Sequence, residues 1–192
     1  HPLGLGAGQH PQLTLGIVEQ VDGATERNPV ESVERGGDVA ALRVAQRIEP
    51  AQLQSIAAQL YLELLRGGYT QVCEFHYLQH DRDGRPYADP LTLSWALADA
   101  AEDAGIGLTL MPVLYERAGF TQPALRDDQR RFATTAADVL ALQRQVNDAR
   151  RPLVDAGVAI HSLRAAHPES LAAVAAGAGD HPVHVHVAEQ TA

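Results

Sequence analysis

A partial β/α barrel, about four β/α units long, is the fold class that this 192-residue chain predicts. Two observations point to it. From Glu49 onward, helix-like and strand-like patterns alternate four times, as they do where parallel strands are joined by crossover helices. Residues that carry chemistry then collect at the C-terminal ends of those strands, in "EFHY", "VLYE", "HSLR" and "HVHVAE", where α/β folds gather their ligands. An open nucleotide-binding sheet shows the same alternation, but no glycine-rich phosphate loop follows the first of these strands.

The stretch "EPAQLQSIAAQLYLELLRGG" sets Leu53, Ile56, Leu60 and Leu64 on one helical face, with Pro50 near its start and Gly67 and Gly68 as its stop. "YTQVCEFHY", Tyr69 to Tyr77, is rich in β-branched and aromatic residues and reads as a strand. The polar turn "QHDRDGRPYADP" leads to a helical pattern over Leu91 to Ile106. Next comes an apolar run from Gly107 to Glu116, of the kind a strand buried on both faces requires. After a polar connection, Arg117 to Arg131, "TAADVLALQRQVNDA" is a helix and "GVAIHSLRA" a strand. "PESLAAVAAGA" is a short helix opened by Pro168 and Glu169, and "HPVHVHVAE" closes the series as a strand.

Residues 1–43 follow no such rhythm. They begin rich in Gly and Pro and sustain neither a helical nor a strand period, so they are expected to lack ordered structure or to be misread, out-of-frame sequence joined to a barrel segment at 44–192.

Twenty-four acidic residues against fifteen basic ones give a net charge of −9, which disfavours nucleic acid and anionic lipid as partners. The basic residues are all arginines scattered among acids, as in "RDGR" and "RDDQRR", and are expected on a solvated surface. One cysteine, Cys73, permits no intrachain disulfide and reads as a small buried strand residue, so a reducing, cytoplasmic setting is expected. No apolar run approaches the roughly 20 residues of a membrane helix.

His184 and His186, two apart on a strand, face the same way. They can offer imidazole nitrogen to a metal or stand as structural rings, and spacing alone leaves both open. Glu189, beyond the strand end, is placed to carry a proton rather than to bind a metal. Arg164 presents a planar fork suited to a carboxylate, with His161 beside it, although an arginine at a strand end also serves in surface ion pairs. Tyr77 is a hydroxyl donor at a strand mouth or a rim aromatic.

Taken together, "AAQLYLELLRGGYTQVCEFHYLQHDRDGRPYADP", "GIGLTLMPVLYERAGF", "GVAIHSLRA" and "PVHVHVAEQ" resemble the formiminoglutamate deiminases of the amidohydrolase superfamily, from about Val44 to Ala192. The resemblance implies a TIM-like β/α barrel of the amidohydrolase type and zinc as cofactor. It also implies hydrolysis of N-formimino-L-glutamate, a small-molecule substrate, to N-formyl-L-glutamate and ammonia in histidine degradation. By the same resemblance His186 is a metal ligand, Glu189 relays protons to the leaving nitrogen, and Tyr77, His161 and Arg164 hold the substrate carboxylates. His184 falls outside the ligand position and is expected to be a supporting residue.

The His-x-His pair of the family's first strand has no counterpart before Gly68, and its sixth-strand histidine and eighth-strand aspartate have none after His186. One imidazole cannot hold a catalytic zinc, so the isolated chain is expected to be an inactive, truncated form. Two further expectations stand beside this one: a non-catalytic half-barrel that associates with a partner or with itself through exposed edges, and an amidohydrolase of the guanine or triazine deaminase type.

Overall fold

The structure, a computed structural model, describes Thr14, Leu15 and residues 44–187. The segment expected to be separate, 1–43, therefore lies outside the described residues apart from a two-residue strand, β1 (Thr14–Leu15). The elements that follow are α1 (Pro50–Arg66), β2 (Gln71–His76), α2 (Thr92–Ala104), β3 (Gly107–Leu114) and a 3-10 turn (Asp127–Phe132). They continue with α3 (Ala136–Ala149), β4 (Val154–Ala156), β5 (Val158–Ser162), α4 (Pro168–Gly177) and β6 (Val183–His186). The strands form one parallel sheet in the order β1-β2-β3-β5-β6, with β4 also paired to β3. This is the curled sheet of a partial β/α barrel, as the alternation predicts.

The strand expected over "GVAIHSLRA" begins earlier and is broken. β4 and β5 pair with β3 in the same register, Leu110 opposite Ala156 and Val113 opposite Ala159, and so continue one another across Gly157. The break has a chemical cause. Gly157 donates its N–H to the Leu110 carbonyl at 2.9 Å, but the next donor position along β3 is Pro112, which has no N–H to give.

The apolar run over β3 is buried along its whole length, as a central strand must be. Its outward residues Leu108 and Leu110 join Val72, Val154 and Ala156 beneath the helices. Its inward residues Met111 and Val113 join Cys73 and Ala159, with Phe75 and Tyr77 packed on top. Cys73 is buried in that inner cluster, as expected.

Helix α1 departs from expectation. Leu53 and Leu64 pack against the core, but Ile56 and Leu60 are 56% and 40% exposed, while Ala57 and Tyr61 are the buried positions. The buried stripe is rotated by about one residue because Tyr61 reaches inward to the carboxyl of Glu74 on β2, and Ala57, one turn before it, lets α1 approach α2 closely. Four alanines of α2, Ala96, Ala98, Ala100 and Ala101, allow the same approach from the other side. Gly105, in the left-handed region at φ 81°, ends α2 and turns the chain into β3. Below this layer Arg151 grips Glu102 through two bonds of 2.8 and 2.6 Å and Asp99 through one of 2.7 Å, and its guanidinium lies over Trp95.

Arg131 is a second correction. Although it lies in the arginine-rich stretch expected at the surface, it is fully buried. Its Nε and Nη1 donors meet backbone carbonyls of His80, Ile48 and Ala45, which replace the water those two groups have lost.

Candidate active site

The inward positions of β2, β5 and β6 bring a set of rings to one place. Phe75 on β2 lies with its centroid 4.6 Å from that of His186, 5.5 Å from His184, 5.9 Å from His161 and 5.8 Å from Tyr77. His161 is also 6.3 Å from Tyr77 and 6.2 Å from His186. The expected convergence of Tyr77, His161 and His186 is therefore present in the geometry.

His161 owes its place to an irregularity. Ile160 pairs with Val185 but Ser162 pairs with His186, so β5 carries one extra residue, His161, against β6. A bulge of this kind re-aims a side chain near a sheet rim. The ring is packed edge-on against Tyr115 at 4.4 Å, and its Nδ1 lies 3.3 Å from the Ser162 hydroxyl.

Arg164 lies in the turn just beyond β5, where its Nη1 donates to the Ala118 carbonyl at 3.3 Å. Arg117 answers by donating to the Leu163 carbonyl at 3.1 Å, so the loops after β3 and β5 are tied to each other. Glu189 lies outside the described residues.

The neighbouring strand end "VLYE" has two separate tasks. Tyr115, buried, points inward; its hydroxyl accepts a hydrogen bond from Gln129 Nε2 at 2.8 Å and its N–H donates to the Thr134 hydroxyl at 2.8 Å. Glu116 turns away and caps α4, accepting the His167 N–H at 2.9 Å and the Ser170 hydroxyl at 2.7 Å, where a carboxylate also suits the helix dipole. Spacing alone gives Tyr115 no role beyond its place in the strand end "VLYE", and gives Gln129 none, although Tyr115 continues the inward parity of Met111 and Val113.

Electrostatically the site is dominated by burial. Desolvation raises the Tyr77 phenol above its ordinary value, with the nearby Tyr115 and Glu74 adding to the effect. Burial, and then the neighbouring His186, lower His184. On the outer face of β2, His76 is almost fully buried and held neutral, its pKa lowered to about 4 by desolvation. Glu74 is raised by burial, which outweighs the hydrogen bond donated by the Tyr61 hydroxyl at 2.9 Å.

A cleft of about 740 Å³ lies outside the ring cluster, among the loops after β2 and β3 and the start of α3. It shares Tyr115 with the cluster but includes none of the expected site residues.

Two imidazoles side by side suit a transition metal. His184 and His186 have ring centroids 5.0 Å apart, and His184 Nε2 is buried with no hydrogen-bond partner. Among the described residues, however, no group of three or more His, Cys, Asp or Glu is arranged to hold an ion. These residues alone do not fit a catalytic zinc, which takes about three protein ligands. Among the described residues no helix is long and apolar enough to cross a membrane.

No family model matches the chain. A formimidoylglutamate deiminase of Pseudomonas aeruginosa is 50% identical to it over 153 residues, which is 77% of this chain and 33% of that enzyme. The chain is a homologue of formimidoylglutamate deiminase. It spans about a third of the length of that relative. The resemblance read from "EFHY" to "HVHVAEQ" thus holds.

Among solved structures, an amidohydrolase from Brucella melitensis superposes with a TM-score of 0.76 and 38% identity, covering 87% of this chain and 38% of that one. A mutant atrazine chlorohydrolase from Arthrobacter aurescens, complexed with zinc and atraton, superposes with a TM-score of 0.57 at 20% identity, covering 89% of this chain and 36% of that one. An adenosine deaminase from Xanthomonas campestris with bound zinc gives 0.53 at 21% identity, covering 81% of this chain and 30% of that one. The last two share the fold. The architecture is that of a partial amidohydrolase β/α barrel.

Proposed function

We propose that this chain forms part of a deiminase that hydrolyses N-formimino-L-glutamate to N-formyl-L-glutamate and ammonia. The observation that carries the reading is the meeting of Tyr77, His161 and His186 on one inward rim, in a chain half identical to a formimidoylglutamate deiminase over most of its length.

In this reading Tyr77, His161 and Arg164 bind the two carboxylates of the glutamyl portion. Arg164 supplies the fixed positive charge that a dianion needs in a protein of net charge −9. Phe75 and Tyr115 wall the rim, exclude water and strengthen those contacts. Glu189 carries a proton to the leaving nitrogen. In the complete barrel His186 would be one ligand of a zinc, which would supply the hydrolytic nucleophile. The chain acts in the cytoplasm, as expected for an enzyme of amino-acid breakdown.

The test is ammonia release from formiminoglutamate with added zinc. A form carrying the complete barrel is expected to turn over and to lose activity on H186A. The 192-residue chain is expected to release none, because its described residues offer two imidazoles where catalytic zinc takes about three ligands. A complete barrel that releases no ammonia from this substrate yet deaminates guanine or a triazine sinks the assignment.

A further inference from the structure

Three stretches far apart in the sequence meet at one guanidinium. Arg131 belongs to the 3-10 turn Asp127–Phe132 and is fully buried. Its Nε–H donates to the His80 carbonyl at 2.8 Å, in the loop after β2. Its Nη1 donates to the Ile48 carbonyl at 3.1 Å and to the Ala45 carbonyl, both in the segment that enters α1. The backbone of the same residue holds the loop from the other side, its carbonyl accepting the N–H groups of Gln79 at 2.9 Å and His80 at 3.1 Å.

The residues beside it reach the rim. Phe132, the next residue, packs edge-on against Tyr77 at 4.9 Å and also meets Tyr115 at 5.8 Å. Gln129, two residues before, donates to the Tyr115 hydroxyl at 2.8 Å. Tyr77 itself lies just two residues before Gln79. One short turn thus grips both tyrosines that flank His161, and Arg131 anchors that turn.

The choice of arginine follows from geometry. A planar fork of donors can face carbonyls from two segments at once, whereas an ammonium group is a single point with tetrahedral donors. The neighbouring arginines bind more superficially: Arg130 donates to the Arg82 carbonyl at 3.0 and 2.7 Å, and Arg82 to the Arg47 carbonyl at 3.0 and 2.7 Å, stitching the same three segments along the surface.

We propose that Arg131 is a positioning residue for substrate binding: it locks the loop after β2 to the segment entering α1 and so fixes Tyr77 against Phe132 at the rim. This rests on the deiminase reading of that rim. The guanidinium touches no substrate and acts through Tyr77, so its effect falls on substrate affinity rather than on turnover.

The substitution R131K keeps the charge and removes the fork. Hydrogen exchange on the 192-residue chain is expected to quicken about tenfold in peptides covering 45–49 and 77–83 and to stay unchanged in β3 and α3. In the deiminase with its complete barrel, R131K raises KM for formiminoglutamate about tenfold and leaves kcat within about twofold. As a second variant, F132L keeps the guanidinium and removes the ring against Tyr77; it raises KM without altering exchange in 45–49. Unchanged exchange in R131K, an equal rise across every element, or a loss of kcat at constant KM overturns the proposal. If the unaltered complete enzyme releases no ammonia, the deiminase reading fails, and the exchange comparison judges the clamp alone.

Discussion

The rings of Phe75 and His186 meet at 4.6 Å although their strands, β2 and β6, are separated in the sheet by β3 and β5. In a flat sheet two strands three places apart stand about 14 Å from each other. The contact therefore measures the curl of the sheet, and it crosses the concave face where the candidate site lies.

Phe75 should act as a central post. F75A is expected to destabilise the chain by about 3 kcal/mol, in the usual range for removing a packed aromatic, and F75L by less. It should also loosen His161, His184 and His186 together, since all three rings contact it. Denaturant unfolding and imidazole proton line shapes check the two parts of this expectation. Loss of stability with unchanged histidine spectra counts against the post.

Buried His76 sets an acid limit. Its pKa is lowered to about 4 in the fold against 6.5 unfolded, so below 6.5 the unfolded chain binds the proton more readily. Stability contributed by the neutral ring is complete above 6.5 and is lost as pH falls towards 4, by about 3 kcal/mol in all. H76Q, which cannot titrate, should flatten this limb in melting temperatures measured across pH 4 to 7.

Glu74 works in the opposite direction. Burial raises its pKa, so the folded chain holds the proton more tightly than the unfolded one, and stability falls as pH rises through the elevated value. E74Q imitates the protonated acid and still accepts from the Tyr61 hydroxyl. It is expected to stabilise the fold above the elevated pKa and to lose that advantage below the ordinary glutamate range. A constant difference between the two proteins from pH 4 to 8 contradicts this.

Gly157 leaves no room for a side chain. A Cβ there would sit 2.4 Å from the Pro182 carbonyl and 2.8 Å from Met111 Sδ. G157A should push β6 away from β5 at an expected cost of about 2 kcal/mol. Protection of the β6 amides, rather than global stability alone, reports whether that displacement occurs.

The strand ends were legible because each carries polar residues where an apolar run stops. "EFHY" and "HVHV" deliver their rings to the rim by the two-residue alternation of strands. The α1 stripe is not legible for a different reason: Ile56 and Leu60 outrank Ala57 in hydrophobicity, but the close approach of α2 selects the smaller residue. Burial of Arg131 is not legible in the sequence because its partners are backbone carbonyls, which leave no trace in side-chain spacing. The bulge at His161 was equally hidden, since an extra residue in a ladder is defined by the partner strand.

Pro112 has a mechanical consequence. By withholding a donor opposite Gly157 it leaves a gap in the seam on one side of β3, between the pairing of Leu108 to Leu110 with β4 and that of Val113 and Leu114 with β5. Pairing of β2 with β3 runs unbroken past this gap, from Gln71 opposite Gly107 to His76 opposite Pro112, so β2 splints the sheet where the other side of β3 is left unstitched.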